Sequence, residues 1–207
     1  MARRRTAEDR KLQIVEAMLR LADEVGPDRI TTSDVARAVG LTQPGIFRHF
    51  PTKQALWLAV AETVATRLTA AWDSAVAGVE TPEKRLRALV LAQLRRIELC
   101  PALPSILFSR EMQVENAELR AAFRDLLACF QGRLVAELRT MKSGGTIPPS
   151  LAAEDAAVFL TSLVQGLAIR WMLGNRSFHL VEEGGRLFDT QIAMMRRTPG
   201  GACSDQP

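Results

Sequence analysis

Apolar residues recur every three or four positions along almost the whole chain, and no stretch keeps the strict alternation of a half-buried strand. In 8–25 the residues Ile14, Ala17, Met18, Leu21, Ala22 and Val25 form one helical stripe, which Gly26-Pro27 stops. A second, shorter helix starts at a cap, Thr32 or Ser33, carries Val35, Ala36 and Val39, and ends at Gly40. Pro51 breaks the chain again; Thr52 then caps a long helix that reaches Gly78. Thr81, followed by Pro82 in the first helical position and an early Glu83, opens a helix closed by Cys100-Pro101. The proline-containing segment that follows predicts a short helix or a connector. A helix over roughly 115–142 then carries Leu119, Phe123, Leu126, Leu127, Phe130, Leu134 and Leu138. "SGGTIPPS" at 143–150 is a loop. An apolar helix over 151–173 and a last one over about 179–196, weakened by Gly184-Gly185, complete the pattern. Residues 198–207 read as a disordered tail. The fold class is all-α.

Within this pattern, "SDVARAVGLTQPGIFRHF" at 33–50 supplies a helix, a four-residue turn and a second short helix. Ala36 is small where two helices must approach, and Gly40 suits a turn residue at positive φ. Leu41, Ile46 and Phe50 point back to Val35 and Val39, closing a three-helix core with the first helix. With Thr42 as N-cap, Pro44 falls in the first turn, where a missing N–H costs nothing. Gly45 lets the backbone come close to a phosphate or base edge, and the helix start attracts phosphate. Pro44, Phe47 and Arg48 face outward, with His49 at the flank. An outward aromatic beside Arg and His on so short a helix is poorly explained by packing. The arrangement is a helix-turn-helix whose second helix would enter a DNA major groove.

Charge agrees with this placement. Residues 1–57 hold 10 Lys/Arg against 7 Asp/Glu, the remainder 17 against 16, and Arg3, Arg4 and Arg5 form a basic arm suited to a polyanion. The other classes recede. Cys100, Cys129 and Cys203 are scattered, and with His49 and His179 they give no metal-ligand or disulfide spacing. No basic stretch leads into a secretory h-region and no apolar run approaches the length of a membrane span, so a cytoplasmic protein without membrane contact is expected. There is no Ser/His/Asp set and no phosphate-cradling glycine loop; His179 with Glu182 or Glu183 reads as a surface pair. The expectation is a protein that is not an enzyme and holds no cofactor or metal.

The run "ITTSDVARAVGLTQPGIFRHFPTKQALWLAV" resembles the DNA-binding region of the tetracycline-repressor (TetR) family of bacterial transcriptional regulators, over roughly residues 10–60. The resemblance implies a DNA-binding domain at 1–55 and a larger helical ligand-binding and dimerisation domain at 56–197. Thr32, Thr42, His49 and Lys53 match positions that usually touch phosphates. Gln43, Pro44, Gly45 and Arg48 lie where the family reads or approaches bases, and Gln43 could pair with an adenine. Phe47 departs from the pattern: the family usually has Tyr there, and this chain has no tyrosine. The missing hydroxyl removes one phosphate hydrogen bond, worth about 1 kcal/mol.

By the same resemblance, the last two long helices would pair with those of a second copy, so that a two-fold dimer meets two half-sites of a palindromic double-stranded operator. The nearly all-round apolar character of 151–173 agrees with burial on several sides. A small-molecule effector would be held by some of Arg96, Phe108, Met112, Phe123, Phe130, Gln165, Arg170 and Trp171, each of which also has an ordinary role as core or solvated residue. Two functions stay open: a ligand-responsive repressor, and an architectural, nucleoid-organising DNA binder without an inducer. Redox sensing at Cys100 or Cys129 rests only on the presence of the thiols.

Overall fold

The computed structural model describes residues 6–196; the basic arm at Arg3–Arg5, Cys203 and the expected tail at 198–207 lie outside the described residues. There is no strand among them. The helices are α1 (Ala7–Glu24), α2 (Thr32–Ala38), α3 (Gln43–Phe47), α4 (Lys53–Val76), α5 (Pro82–Leu99), α6 (Ala102–Leu107), α7 (Ala117–Ser143), α8 (Ala153–Leu173) and α9 (Leu180–Met195). Two compact units share them. One comprises the chain up to Asp73 with Arg95–Ala128, the other Ser74–Leu94 with the chain from Cys129 onward. Helices α4, α5 and α7 contribute to both.

In the first unit α1 is capped by a reciprocal box in which Thr6 and Asp9 each accept from the other's backbone N–H at 3.1 Å. Its inner stripe, Ile14, Met18 and Ala22, is fully buried, and α1 packs against α2 and α6. Arg67 of α4 pairs with Glu16 of α1. The cap of α2 lies one residue before the earlier of its two expected positions. Thr31 is the N-cap, in a box with Asp34, because Thr31-x-x-Asp34 has the spacing for two reciprocal bonds and Thr32 or Ser33 does not. Bonds from the Thr31 hydroxyl and amide hold the Asp34 carboxyl below its ordinary range. Trp57 of α4 lies wholly inside, its indole Nε1 without a hydrogen-bond partner.

The segment after Cys100 resolves into α6 and a π-helical turn, Glu111–Glu115, which periodicity did not signal. The Asn116 N–H reaches back to the Glu111 carbonyl at 2.9 Å, closing the wider turn. The Asn116 side chain then accepts from Leu119 N at 2.9 Å, capping the start of α7. Ser109, also buried, accepts from Met112 N and donates to the Ile106 carbonyl.

In the second unit α5, α7, α8 and α9 enclose Leu86, Leu94, Leu134, Leu138, Leu160, Leu167, Leu180 and Phe188. Arg85 bonds Glu137 of α7 at 2.7 Å and reaches the Val76 and Val79 carbonyls, fastening the end of α4. Trp171 donates its indole N–H to the Phe178 carbonyl at 3.0 Å. The Gly184-Gly185 pair has a packing reason: a Cβ on Gly184 would collide with the Leu94 side chain, and one on Gly185 would stand 2.9 Å from Arg87 Nη2. Glycine here exchanges helix propensity for close approach of α9 to α5. Gly184→Val should therefore destabilise the protein by about 2 kcal/mol despite valine's better propensity, read as a lower denaturation midpoint. An unchanged midpoint would show that Leu94 moves aside freely.

The expectation that no apolar run approaches the length of a membrane span needs correction. Helix α8 is long and apolar enough, by length and composition, to cross a membrane. Its charges sit at its ends, Glu154 and Asp155 at one and Arg170 at the other, so the middle is uncharged. Less than half of its most apolar window is buried within this chain. Val158, Phe159, Ile169 and Leu173 are exposed at helical spacing along one side, Leu173 by 84%.

Candidate DNA-binding surface

The candidate surface is built on the α2–α3 turn. Gly40 has φ +67°, and Leu41 N donates to the Ala36 carbonyl at 2.9 Å, so the chain reverses in few residues. Thr42 then stands extended and its hydroxyl accepts from Gly45 N at 3.2 Å. Pro44 falls in the first turn, as its lack of an N–H allows. Gly45 has a local role too. A Cβ there would stand 3.3 Å from Thr42 Oγ1, crowding the capping hydroxyl.

Regular helix ends at Phe47, yet Arg48 keeps helical φ and ψ, so the side-chain directions continue past it. Ile46 and Phe50 are buried against the core. Thr42, Gln43, Pro44, Phe47 and Arg48 are exposed, while Thr32, Gly45 and His49 are half-buried. Phe47 shows 40% of its surface to solvent and carries no hydroxyl to bond there. Gln43 is engaged from within: its Nε2 donates to Thr32 Oγ1 at 2.8 Å, tying the start of α3 to the start of α2. A base would have to compete with that bond or use the remaining amide atoms.

Lys53, the first residue of α4, has the least expected surroundings. Its ammonium lies 3.0 Å from Glu111 Oε2 on the π-helical turn. The Glu111 side chain is 3% exposed and that of Lys53 29%. Glu111 N donates to Asp28 Oδ1 at 3.2 Å, holding the turn against the loop after α1. The other carboxylate oxygen, Oε1, is buried without a partner. Nothing in the sequence marked Glu111, which lies 58 positions from Lys53 in a connector without periodicity.

The candidate effector residues divide between the units. Arg96, Phe108, Met112 and Phe123 belong to the first; Met112 and Phe123 are buried and Phe108 is exposed. Phe130, Gln165, Arg170 and Trp171 belong to the second, with Phe130 and Trp171 buried. Gln165 and Arg170 stand on the exposed side of α8, Arg170 lying over the Phe178 ring at 5.8 Å. Burial pushes the Cys100 thiol up, with Arg96 and Arg67 only opposing that effect, which disfavours a reactive thiolate. Cys129 is exposed on α7.

Known proteins resemble both parts of the chain. Residues 14–60 match the family described as bacterial regulatory proteins, tetR family. Residues 82–195, more than half the chain, match the BetI-type transcriptional repressor C-terminal family. The nucleoid occlusion factor SlmA of Actinobacillus pleuropneumoniae serotype 5b is 24% identical over 197 residues, covering 93% of this chain and 94% of that protein. The HTH-type transcriptional regulator TtgR of Pseudomonas putida is 29% identical over 199 residues, with coverage of 93% and 94%. Among solved structures, the transcriptional regulator FadR of Bacillus subtilis, in complex with stearoyl-CoA, superposes with a TM-score of 0.75 at 17% identity. It covers 88% of this chain and 97% of its own, a likeness of fold.

Proposed function

We propose that this DNA-binding transcriptional regulator, which belongs to the tetR family of bacterial regulatory proteins, acts as a ligand-responsive repressor that binds a palindromic operator as a homodimer. The observation that carries the reading is the exposed face Gln43, Pro44, Phe47 and Arg48, held outward by the buried Ile46 and Phe50. On this reading α3 enters the major groove, Gln43 and Arg48 approach base edges, and Thr32, Thr42, His49 and Lys53 lie towards phosphates. The functional division is a DNA-binding domain at 1–55 and an effector and dimerisation domain at 56–197. The protein works in the cytoplasm, as a regulator and not an enzyme.

The exposed apolar side of α8, together with α9, is the dimer face. Phe159→Asp places a charge in that face and is expected to raise the dimer dissociation constant about tenfold or more, by sedimentation. A dimer of unchanged strength would place the interface elsewhere. Effector contacts come either from Arg96, Phe108, Met112 and Phe123 in the first unit or from Phe130, Gln165, Arg170 and Trp171 in the second, with Arg96 or Arg170 as the anion anchor of its own unit. Effector and operator each weaken the other's binding by one factor.

Selection of random duplexes by the purified protein tests the whole reading. Recovery of an inverted repeat with half-sites about one helical turn, or a multiple, apart supports it; no enrichment at low salt sinks it. A second reading, a nucleoid-organising DNA binder without inducer, is favoured by the full-length likeness to a nucleoid occlusion factor. Chromosome-wide mapping separates the two: many dispersed sites favour the second, a site at a neighbouring promoter the first.

A further inference from the structure

The charge of Lys53 is answered from inside the protein. Its ammonium is 3.0 Å from Glu111 Oε2, and the carboxylate is the more deeply buried partner. Glu111 is fixed by its backbone bond to Asp28 and has no second partner at Oε1, so Lys53 is its charge compensation. Drawing Lys53 fully onto a phosphate would strand a buried anion, which is strongly unfavourable. The ammonium has three donors and can touch a phosphate while keeping Glu111. What it then offers DNA is a lysine whose charge is locally cancelled, and counterion release follows charge.

We infer that Glu111 is an affinity-setting residue: it neutralises Lys53 and holds the protein's affinity for the DNA backbone below what the surface would otherwise give. This rests on the DNA-binding reading above. It differs from a direct contact because Glu111 itself need not meet DNA.

The test uses the full-length protein and a short fluorescent duplex of arbitrary sequence, since phosphate contacts are sequence-independent. Affinity is followed against salt. Glu111→Gln keeps the side-chain shape and should bind about five- to tenfold tighter at moderate salt, with the logarithmic slope steeper by about 0.9. The double variant Glu111→Gln/Lys53→Met should return to the wild-type affinity and slope, because the pair it deletes is neutral. Glu115→Gln, which frees Arg110 on the same segment, should give little gain. An unchanged affinity in Glu111→Gln overturns the inference, as does an equal gain in Glu115→Gln, which would mean that overall charge alone matters. Should the single variant melt below the assay temperature, the double variant decides: a slope shallower than wild type by about 0.9 shows that Lys53 was fully charged towards DNA, and the inference falls. If neither the wild type nor any variant binds the duplex at low salt, the DNA-binding reading falls and this inference with it.

Discussion

Lys53→Met is expected to lower the free energy of unfolding by about 3 kcal/mol, far more than a surface lysine should. Exposed ion pairs are worth about 0–1 kcal/mol, because water already solvates both charges. Here one partner is not in water: the Glu111 side chain is 3% exposed and its Oε1 already lacks a hydrogen bond. Removing the ammonium leaves an anion with neither solvent nor counter-charge. The effect sits at the lower end of the range for broken buried pairs because Lys53 is 29% exposed, so some water can enter behind it. Urea unfolding of the single variant beside Lys53→Met/Glu111→Gln measures it, and the double variant should recover most of the loss. A loss below about 1 kcal/mol in the single variant would show that water or a proton satisfies Glu111 as well as Lys53 does. It follows that a single substitution at Lys53 confuses DNA contact with stability.

The second large effect is at Trp57. Trp57→Ala should cost about 4 kcal/mol, since the whole indole is buried and the backbone of α4 cannot collapse into the space. Trp57→Phe should cost much less than its lost volume suggests. The indole Nε1–H has no partner, so phenylalanine also removes an unsatisfied buried donor. Denaturation midpoints of the two variants separate these contributions. Equal losses would mean that the Nε1–H is satisfied in solution, most simply by a buried water.

The helices and the outward face of α3 were legible because each rests on local rules. Gly40 needs its positive φ, Thr42 its capping geometry, and the spacing of Ile46 and Phe50 settles which neighbours turn outward. The cap of α2 was misplaced by one residue because three hydroxyl residues in a row, Thr31, Thr32 and Ser33, compete for one role, and Asp34 decides it. The π-helical turn was not legible, since five residues closed by one wider bond leave no periodic trace. Glu111 was missed for the same reason: burial beside Lys53 is a long-range property that spacing along the chain does not encode. Gly184 looked like a weakness for want of Leu94, its neighbour in space. The apolar middle of α8 was visible and read as burial on several sides, but periodicity does not say whether a helix is covered by its own chain, by a copy or by lipid.

The absence of tyrosine has an optical consequence. All intrinsic fluorescence of this protein comes from three indoles, Trp57, Trp72 and Trp171, none of them open to water. Trp57 follows Lys53 by one turn of α4, and Trp171 lies in α8 with its N–H already bonded to a carbonyl. An indole without a bond partner in apolar surroundings emits at the blue end of its range, and a bonded one further to the red. Trp57 in the first unit and Trp171 in the second therefore differ in their label-free emission, with Trp72 adding to the signal of the first: spectral change on adding DNA or a small molecule reports altered surroundings of these indoles.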